Sequence, residues 1–152
     1  MELLKVLEKR KSCRKFKPMD LQEGDREDLD QIIYAGTRAP YASSGPHRYF
    51  KVVAGPKLKL LQKACHDQEW VGSCLAAFVV IGTRAEYPLK SGHDRYVLDC
   101  AASVMCMDLM ATSLGYGTCW IGHFDRVAVN EVCETSDIPV IVLLVGVPDA
   151  QR

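Results

Sequence analysis

Along the chain, apolar residues recur at helical spacing in some stretches and form short unbroken runs in others. Leu3, Leu4, Val6 and Leu7 share one face of a helix, which is typical of a short amphipathic helix at the start. The predicted helices cover residues 2–10, the stretch between Gly24-Asp25 and Arg38-Ala39-Pro40, 57–66, about 96–114 and 125–133. The predicted strands cover residues 49–54, 76–81, 118–121 and 139–147.

Two of these elements are expected to lie in the interior. The strand over residues 76–81 is apolar on both faces, as a central strand is. The helix over about 96–114 is apolar on nearly all sides, which predicts burial at a domain centre or a subunit interface. Because the sequence contains no internal repeat, low-complexity tract or linker, we expect a single domain over residues 1–152.

The composition excludes several classes of protein. The 152 residues are 48% hydrophobic and 25% charged, and nineteen basic residues offset nineteen acidic ones, so nothing in the net charge favours nucleic acid or an anionic membrane. No apolar run is long enough to span a bilayer and the charged start does not resemble a signal peptide, so we expect a location in the cytoplasm. The seven cysteines include no C-x-x-C pair, so they are interpreted as small buried hydrophobic residues and no metal site is predicted.

The familiar motifs of hydrolytic and phosphate chemistry are absent. The sequence has no G-x-S-x-G elbow, no P-loop and no H-E-x-x-H. Gly115-Tyr116-Gly117 has the form G-x-G but follows a predicted helix, whereas a dinucleotide-binding fingerprint follows a strand. The four histidines are scattered, and no spacing among them predicts a nucleophile pair or a metal site.

Three segments remain as candidates for chemistry, and the first is Arg10-Lys11-Ser12-Cys13-Arg14-Lys15-Phe16. On an extended backbone Arg10, Ser12 and Arg14 would point the same way. Two guanidinium groups and a hydroxyl on one side suit a phosphate or a polarised carbonyl, because guanidinium forms bidentate hydrogen bonds with such groups. The spacing alone favours a solvated basic face after a helix over such a binding site.

The other two segments are a loop and a turn followed by a strand. In the loop Pro40-Tyr41-Ala42-Ser43-Ser44-Gly45-Pro46, prolines stiffen the chain, small residues permit close approach and hydroxyls offer hydrogen bonds. The stretch from Gly115 to His123 presents backbone beside the Trp120 indole, with glycine where a flat ligand could come near. Each segment also fits an ordinary connection or an edge strand.

Taken together and in this order, the three segments resemble the nitroreductase family. The family pattern runs R-R-S-x-R-x-F near the start, then A-P-S-x-x-N-x-Q-P-W ahead of a strand, then a long helix and G-L-G-T-x-W-I-G. The chain offers Arg10 to Phe16, then Ala39-Pro40-Tyr41-Ala42-Ser43-Ser44, then Gly115-Tyr116-Gly117-Thr118-Cys119-Trp120-Ile121-Gly122. The resemblance extends over nearly the whole chain, from about Leu4 to Pro148.

The resemblance implies an α+β fold in which helices flank a central, mainly antiparallel sheet, with the long helix buried at the core of a homodimer that holds FMN at its interface. By match to the family, the phosphate, ribityl chain and pyrimidine edge would be held by Arg10, Lys11, Ser12 and Arg14. The ring system would lie along five residues of the other subunit, namely Pro40, Tyr41, Ala42, Ser43 and Ser44. Backbone N–H groups of Ile121 and Gly122 would approach flavin N5, and His123 would lie beside the ring.

The implied activity is electron transfer from NADH or NADPH through the flavin to a small acceptor such as a nitroaromatic or a quinone. Because the flavin carries this chemistry, no protein acid or base is required and no catalytic residue is assigned. Arg10 and Arg14 would stabilise the anionic reduced flavin.

The chain departs from the family pattern at several positions. Ser44 stands in place of Asn, Pro46-His47-Arg48 in place of Gln-Pro-Trp, His123 in place of Gly, and Met105-Cys106 in place of Gln-Asn. After the last predicted strand only Arg152 could supply a cation to the phosphate, where the family continues with a basic arm. Two alternatives therefore stay open: a flavin-binding sensor, carrier or flavin-processing protein without general reductase activity, and an interaction domain that has lost the cofactor.

Overall fold

One antiparallel sheet with helices on both faces forms the centre of the computed structural model, which describes residues 1–42, 45–84 and 88–149. Within that part of the chain the strands are β1 (Arg48–Ala54), β2 (Ala76–Gly82), β3 (Gly117–Ile121) and β4 (Ile138–Gly146). Their order across the sheet is β1-β2-β4-β3, and every neighbouring pair is antiparallel. The α+β class and the antiparallel sheet predicted from the sequence are confirmed.

The helices are α1 (Leu3–Lys9), α2 (Glu23–Thr37), α3 (Lys57–Ala64), α4 (Glu69–Ser73), α5 (Arg95–Ser113) and α6 (Arg126–Cys133). The sequence pattern predicts all of them within a few residues except α4, which has only five residues and is too short to show a helical period. Asp125 caps α6, since its carboxylate accepts a hydrogen bond from the N–H of Ala128 at 2.8 Å. No helix of the described residues is both long and apolar enough to cross a membrane.

The alternation of β2 divides the interior into two hydrophobic clusters. Ala77, Val79 and Ile81 pack with α3, α4 and α6 on one face of the sheet, and Phe78 and Val80 pack with α2 and α5 on the other. All seven residues of β2 are buried because the strand lies between β1 and β4 and is covered on both faces. The expectation of a central strand apolar on both faces is therefore confirmed.

Helix α5 differs from the expectation that it is buried on nearly all sides. Within this chain Val97 and Ala101 are exposed, although both are apolar. Its buried face contains polar residues beside the apolar ones, namely Asp99, Ser103, Asp108 and Thr112. The side chains of Asp99, Ser103 and Asp108 find hydrogen-bond partners on other parts of the chain, so the helix combines a polar, largely bonded inner face with an accessible apolar stripe.

Residues 10–17 form a link along the edge of the sheet beside β3. The N–H of Cys13 donates to the carbonyl of Thr118 at 2.7 Å, and Ser12 and Thr118 form a parallel bridge. Further along, the N–H of Lys17 donates to the carbonyl of Val147 at 2.9 Å. This link fixes the basic N-terminal segment against the start of β3 and the end of β4.

Candidate cofactor site

A cleft of about 400 Å³ lies where the N-terminal segment meets the turn before β3. The volume is within the range of small-molecule and cofactor pockets, which is roughly 300 to 1,000 Å³. Ser12, Tyr116 and Gly117 contribute to its walls. The charged side chains of the described lining are Lys9, Lys11, Arg14, Lys15 and Asp149. With four cations against one carboxylate, the cleft suits an anionic group such as a phosphate.

Arg10 lies at the end of α1, outside this lining, and pairs with a buried carboxylate. Its Nη1 atom is 3.8 Å from Oδ2 of Asp108 on α5, whose side chain is 1% exposed. The hydroxyl of Thr118 donates to Oδ1 of Asp108 at 2.6 Å, and the indole N–H of Trp120 donates to Oδ2 at 2.8 Å. Asp108 therefore ties the end of α1 and two residues of β3 to α5.

Arg14 points toward a different element. Its guanidinium lies 6.0 Å from the centre of the Trp70 ring, a cation–π distance, and Trp70 belongs to α4. Burial raises the pKa of the Cys119 thiol, and the charge of Arg14 lowers it in part.

The expectation that Arg10, Ser12 and Arg14 point the same way is therefore wrong. Arg10 reaches toward α5 on one face of the sheet, and Arg14 reaches toward α4 on the other. Strict alternation requires a continuous strand, whereas this segment touches the sheet through isolated bridges at Ser12 and Phe16. The two guanidinium groups approach the edge of β3 from opposite faces.

The residues after β3 present exposed backbone. Gly122 and His123 are exposed, and neither N–H makes a hydrogen bond to any described part of the chain. A side chain added at Gly122 would meet only Ile141, at 3.7 Å, so the space beside it is open. Ile121 is buried at the end of β3. A flat ligand could approach this backbone closely and accept hydrogen bonds from its free N–H groups.

The His123 ring packs on another imidazole. The ring centres of His66 and His123 are 4.3 Å apart, and the side-chain amide of Gln68 donates to the carbonyl of His123 at 3.3 Å. His66 follows α3 and Gln68 precedes α4, so these contacts fix the chain that follows β3 against that layer of helices. The imidazole at position 123 therefore has a defined place beside Gly122.

The loop before β1 is attached to α5 by hydrogen bonds. The N–H groups of Ala42 and His47 each donate to Asp99 at 3.0 Å. Pro40 and Tyr41 of this loop are exposed. Ser43 and Ser44, which the resemblance assigns to the flavin, lie outside the described residues, as does Arg152.

Arg48, one of the departures from the family pattern, points inward instead of toward a ligand. Its guanidinium donates to the carbonyls of Gly36 and Ala39 at 3.1 Å each and to the hydroxyl of Ser103. The same group lies 5.6 Å from the Tyr41 ring. Arg48 is thus a buried support for the loop, and Tyr41 covers it.

The structure brings two of the three predicted segments together in one chain and leaves the third apart. Residues 10–14 and 118–123 meet at the β3 edge through the Ser12–Thr118 bridge. The loop before β1 lies at the opposite edge, because β1 and β3 are the outer strands of the sheet. A site that uses all three segments would need loop 40–47 from another copy of the chain.

Asp99, Asp108 and Trp70 are residues that the motif reasoning does not identify. The two carboxylates lie within an apolar helix, where a charged side chain is unexpected unless it has partners. Their position in an apolar helix is the sequence feature that indicates a structural or functional role. Trp70 belongs to the short helix that the sequence pattern does not predict.

The residues present fit the phosphorylated flat cofactor that the sequence resemblance implies. Lys11, Arg14 and Lys15 supply cations around a cleft of suitable size, and Ser12 supplies a hydroxyl. The exposed N–H groups of Gly122 and His123 are donors at a position without steric obstruction.

Comparisons with known proteins show which family the chain is similar to. The family model "Nitroreductase family" matches residues 64–147. A protein of Archaeoglobus fulgidus, provisionally named an NADH dehydrogenase/NAD(P)H nitroreductase, is 30% identical over 128 residues, which cover 82% of this chain and 70% of that protein.

Solved structures with the same fold include two from clostridia. The crystal structure of a nitroreductase family protein from Clostridium novyi NT has a TM-score of 0.88 and 30% sequence identity, covering 99% of this chain and 87% of that chain. An FMN-dependent nitroreductase from Clostridium difficile R20291 has a TM-score of 0.81 and 23% identity, covering 98% and 89% of the two chains. At that identity the second likeness concerns the fold alone.

Proposed function

The chain belongs to the nitroreductase family, and from this premise we propose that it is an FMN-dependent oxidoreductase that takes electrons from NADH or NADPH. The electrons would pass to a small acceptor such as a nitroaromatic or a quinone. The observation that carries the proposal is the cationic cleft beside β3, where the N-terminal segment and the start of β3 meet. The name of the Archaeoglobus relative supports it.

The residues of the cleft have separable tasks in this proposal. Lys11, Arg14 and Lys15 would bind the phosphate through charge-assisted hydrogen bonds, with Ser12 as a further donor. When bound, FMN supplies the redox chemistry, accepting a hydride from the nicotinamide and passing electrons to the acceptor. The free N–H groups of Gly122 and His123 would donate to the ring edge, and Arg10 would offset negative charge there.

A second copy of the chain would complete the site. Loop 40–47, held by Asp99, would come from that copy because it lies at the far edge of the sheet in its own chain. Apolar side chains that this chain leaves exposed support such pairing. They lie on α1 and α5 and comprise Leu3, Leu4, Leu7, Val97 and Leu98. We therefore propose a homodimer, and a location in the cytoplasm stays a prediction.

A flavin-binding protein without general reductase activity is the second candidate, and two observations favour it. Arg48 replaces a residue of the family loop and is buried under Tyr41, so the surface that the loop offers to a ring or an acceptor is altered. The imidazole of His123 also adds bulk next to Gly122.

Anaerobic reduction separates the two candidates. Protein loaded with FMN is mixed with NADH or NADPH, and the flavin absorption is followed before and after a quinone is added. In a reductase, the flavin absorption is lost when NADH or NADPH is added and recovers when the quinone is added. A carrier or sensor keeps its flavin oxidised under the same conditions.

A further inference from the structure

Asp108 is an almost fully buried carboxylate on α5, with 1% of its side chain exposed. The two carboxylate oxygens accept hydrogen bonds from Thr118 and Trp120, of which a neutral amide with its single oxygen could accept only one, and a buried carboxylate is costly unless a cation compensates it. Among the described residues Arg10 supplies the one ion pair of Asp108, at 3.8 Å. Within the described part of the chain, Arg10 is therefore the cation that compensates the charge of Asp108.

The two partners differ in their exposure. The side chain of Arg10 is 34% exposed, whereas that of Asp108 is 1% exposed. The guanidinium thus has one edge toward the carboxylate and keeps donors for a ligand at the surface. Since Asp108 also binds Trp120, it fixes a cation and an indole at the edge of β3 where the candidate site lies.

We propose that Asp108 is a positioning residue that orients Arg10 and cancels part of its charge, and thereby lowers the reduction potential of bound FMN. This inference rests on the proposed function. Reduction adds negative charge to a flavin, so a nearby cation favours the reduced form and a carboxylate behind that cation opposes it. A lower potential makes the flavin a stronger reductant, which favours acceptors that themselves have low potentials.

The test compares the reduction potential of bound FMN in two variants, one that removes a negative charge and one that removes a positive charge. The potentials are measured by equilibration with a reference dye. Asp108→Asn keeps the shape and one acceptor but removes the charge, so the ratio of reduced to oxidised FMN at a fixed potential should rise roughly tenfold, a shift of about +30 mV. Arg10→Gln leaves the carboxylate without its cation and should shift the potential the opposite way. The control Asp30→Asn removes the same charge from an exposed position on α2 and should leave the potential unchanged.

The possible results separate this inference from the proposed function. Wild-type protein that binds no FMN overturns both together. Wild-type protein that binds FMN, with potentials unmoved in Asp108→Asn and Arg10→Gln, overturns only the role of Asp108. If thermal unfolding shows that Asp108→Asn does not fold, Arg10→Gln still tests the inference because Arg10 is partly exposed: the inference requires a lower potential in this variant, and an equal or higher one contradicts it.

Discussion

Ser12 and Thr118 lie side by side in a parallel bridge, although most of the chain separates them in sequence. The bridge and the neighbouring bond from Cys13 to Thr118 place the basic N-terminal segment against β3. Both segments carry parts of the family pattern, so this pairing converts two separate motifs into one candidate site.

Replacement of Arg14 by alanine should weaken FMN binding. A hydrogen bond to a charged group contributes about 1.5–3 kcal/mol, so the dissociation constant should rise about 10-fold to 100-fold. The dissociation constant of Arg14→Lys should lie between those of the wild type and Arg14→Ala, because lysine keeps the charge but lacks the planar guanidinium group. Quenching of flavin fluorescence measures the affinity, with Arg126→Ala on the exposed side of α6 as control. Equal affinities for the Arg14 and Arg126 variants would refute the assigned role.

Gly117→Ala should loosen the N-terminal segment from β3. A Cβ atom at this position would lie 2.9 Å from Cβ and Sγ of Cys13 and 3.0 Å from Pro148, closer than the packing permits. We expect a loss of about 1–3 kcal/mol in unfolding free energy and weaker FMN binding.

The matched control for this substitution is Gly24→Ala in the first turn of α2, where nothing lies within 4 Å and alanine has the higher helix propensity. That control should be neutral or stabilising in denaturant unfolding. Removing the obstructing side chain in the double variant Gly117→Ala/Cys13→Gly should restore part of the affinity for FMN, and no recovery would speak against displacement of the segment as the cause.

Mixed dimers test whether two chains share each site. Asp99→Ala removes the acceptor for the N–H groups of Ala42 and His47, so these two residues should lose their attachment to α5, and Arg14→Ala damages the cleft. If the loop and the cleft of one site come from different chains, a dimer of one Asp99→Ala chain and one Arg14→Ala chain has one intact site.

Such dimers can be isolated with two affinity tags after co-expression. The expected flavin content is about one per mixed dimer, against little in either parent dimer, because the symmetric arrangement places both defects in the same site. Mixed dimers that bind no more flavin than the parents would indicate that each site belongs to a single chain.

The unfolding free energy should fall in alkaline solution because the fold keeps buried thiols protonated. Burial raises the pKa of Cys65 to about 11 and the pKa of Cys74 and of Cys100 to about 12. Since these folded-state pKa values exceed the unfolded value of about 8.5, the stabilisation is complete below that pH and is lost as the pH rises through the folded-state values.

Cys74→Ala isolates one of these contributions. Between about pH 8 and about pH 10.5, under reducing conditions, the variant should lose about 2 kcal/mol less unfolding free energy than the wild type. Val79→Ala removes buried volume but no ionisable group, so its dependence on pH should match that of the wild type. If urea unfolding shows that the unfolding free energies of Cys74→Ala and the wild type fall equally as the pH rises, this account is excluded.

Periodicity predicts most of the fold because the sheet is buried on both faces and its strands are short apolar runs. The run over 76–81 becomes β2 with one more residue, and the predicted helix 96–114 becomes α5 within one residue at each end. Helix α4 was missed because five residues contain little more than one turn.

The candidate site was only partly predictable, because its residues meet through long-range contacts. The motif order indicated Arg14 and Gly122, but the pairing of Arg10 with Asp108 depends on how α1 and α5 pack. Likewise, the role of Asp99 follows from backbone groups in a distant loop. Local spacing carries no information about which elements become neighbours.

The most direct test of the central claim is a titration of the purified protein with FMN, followed by gel filtration and an absorption spectrum. The cleft beside β3 should retain about one FMN per chain, giving a yellow protein whose flavin fluorescence is released on denaturation. A protein that remains colourless after incubation with excess FMN would contradict the account.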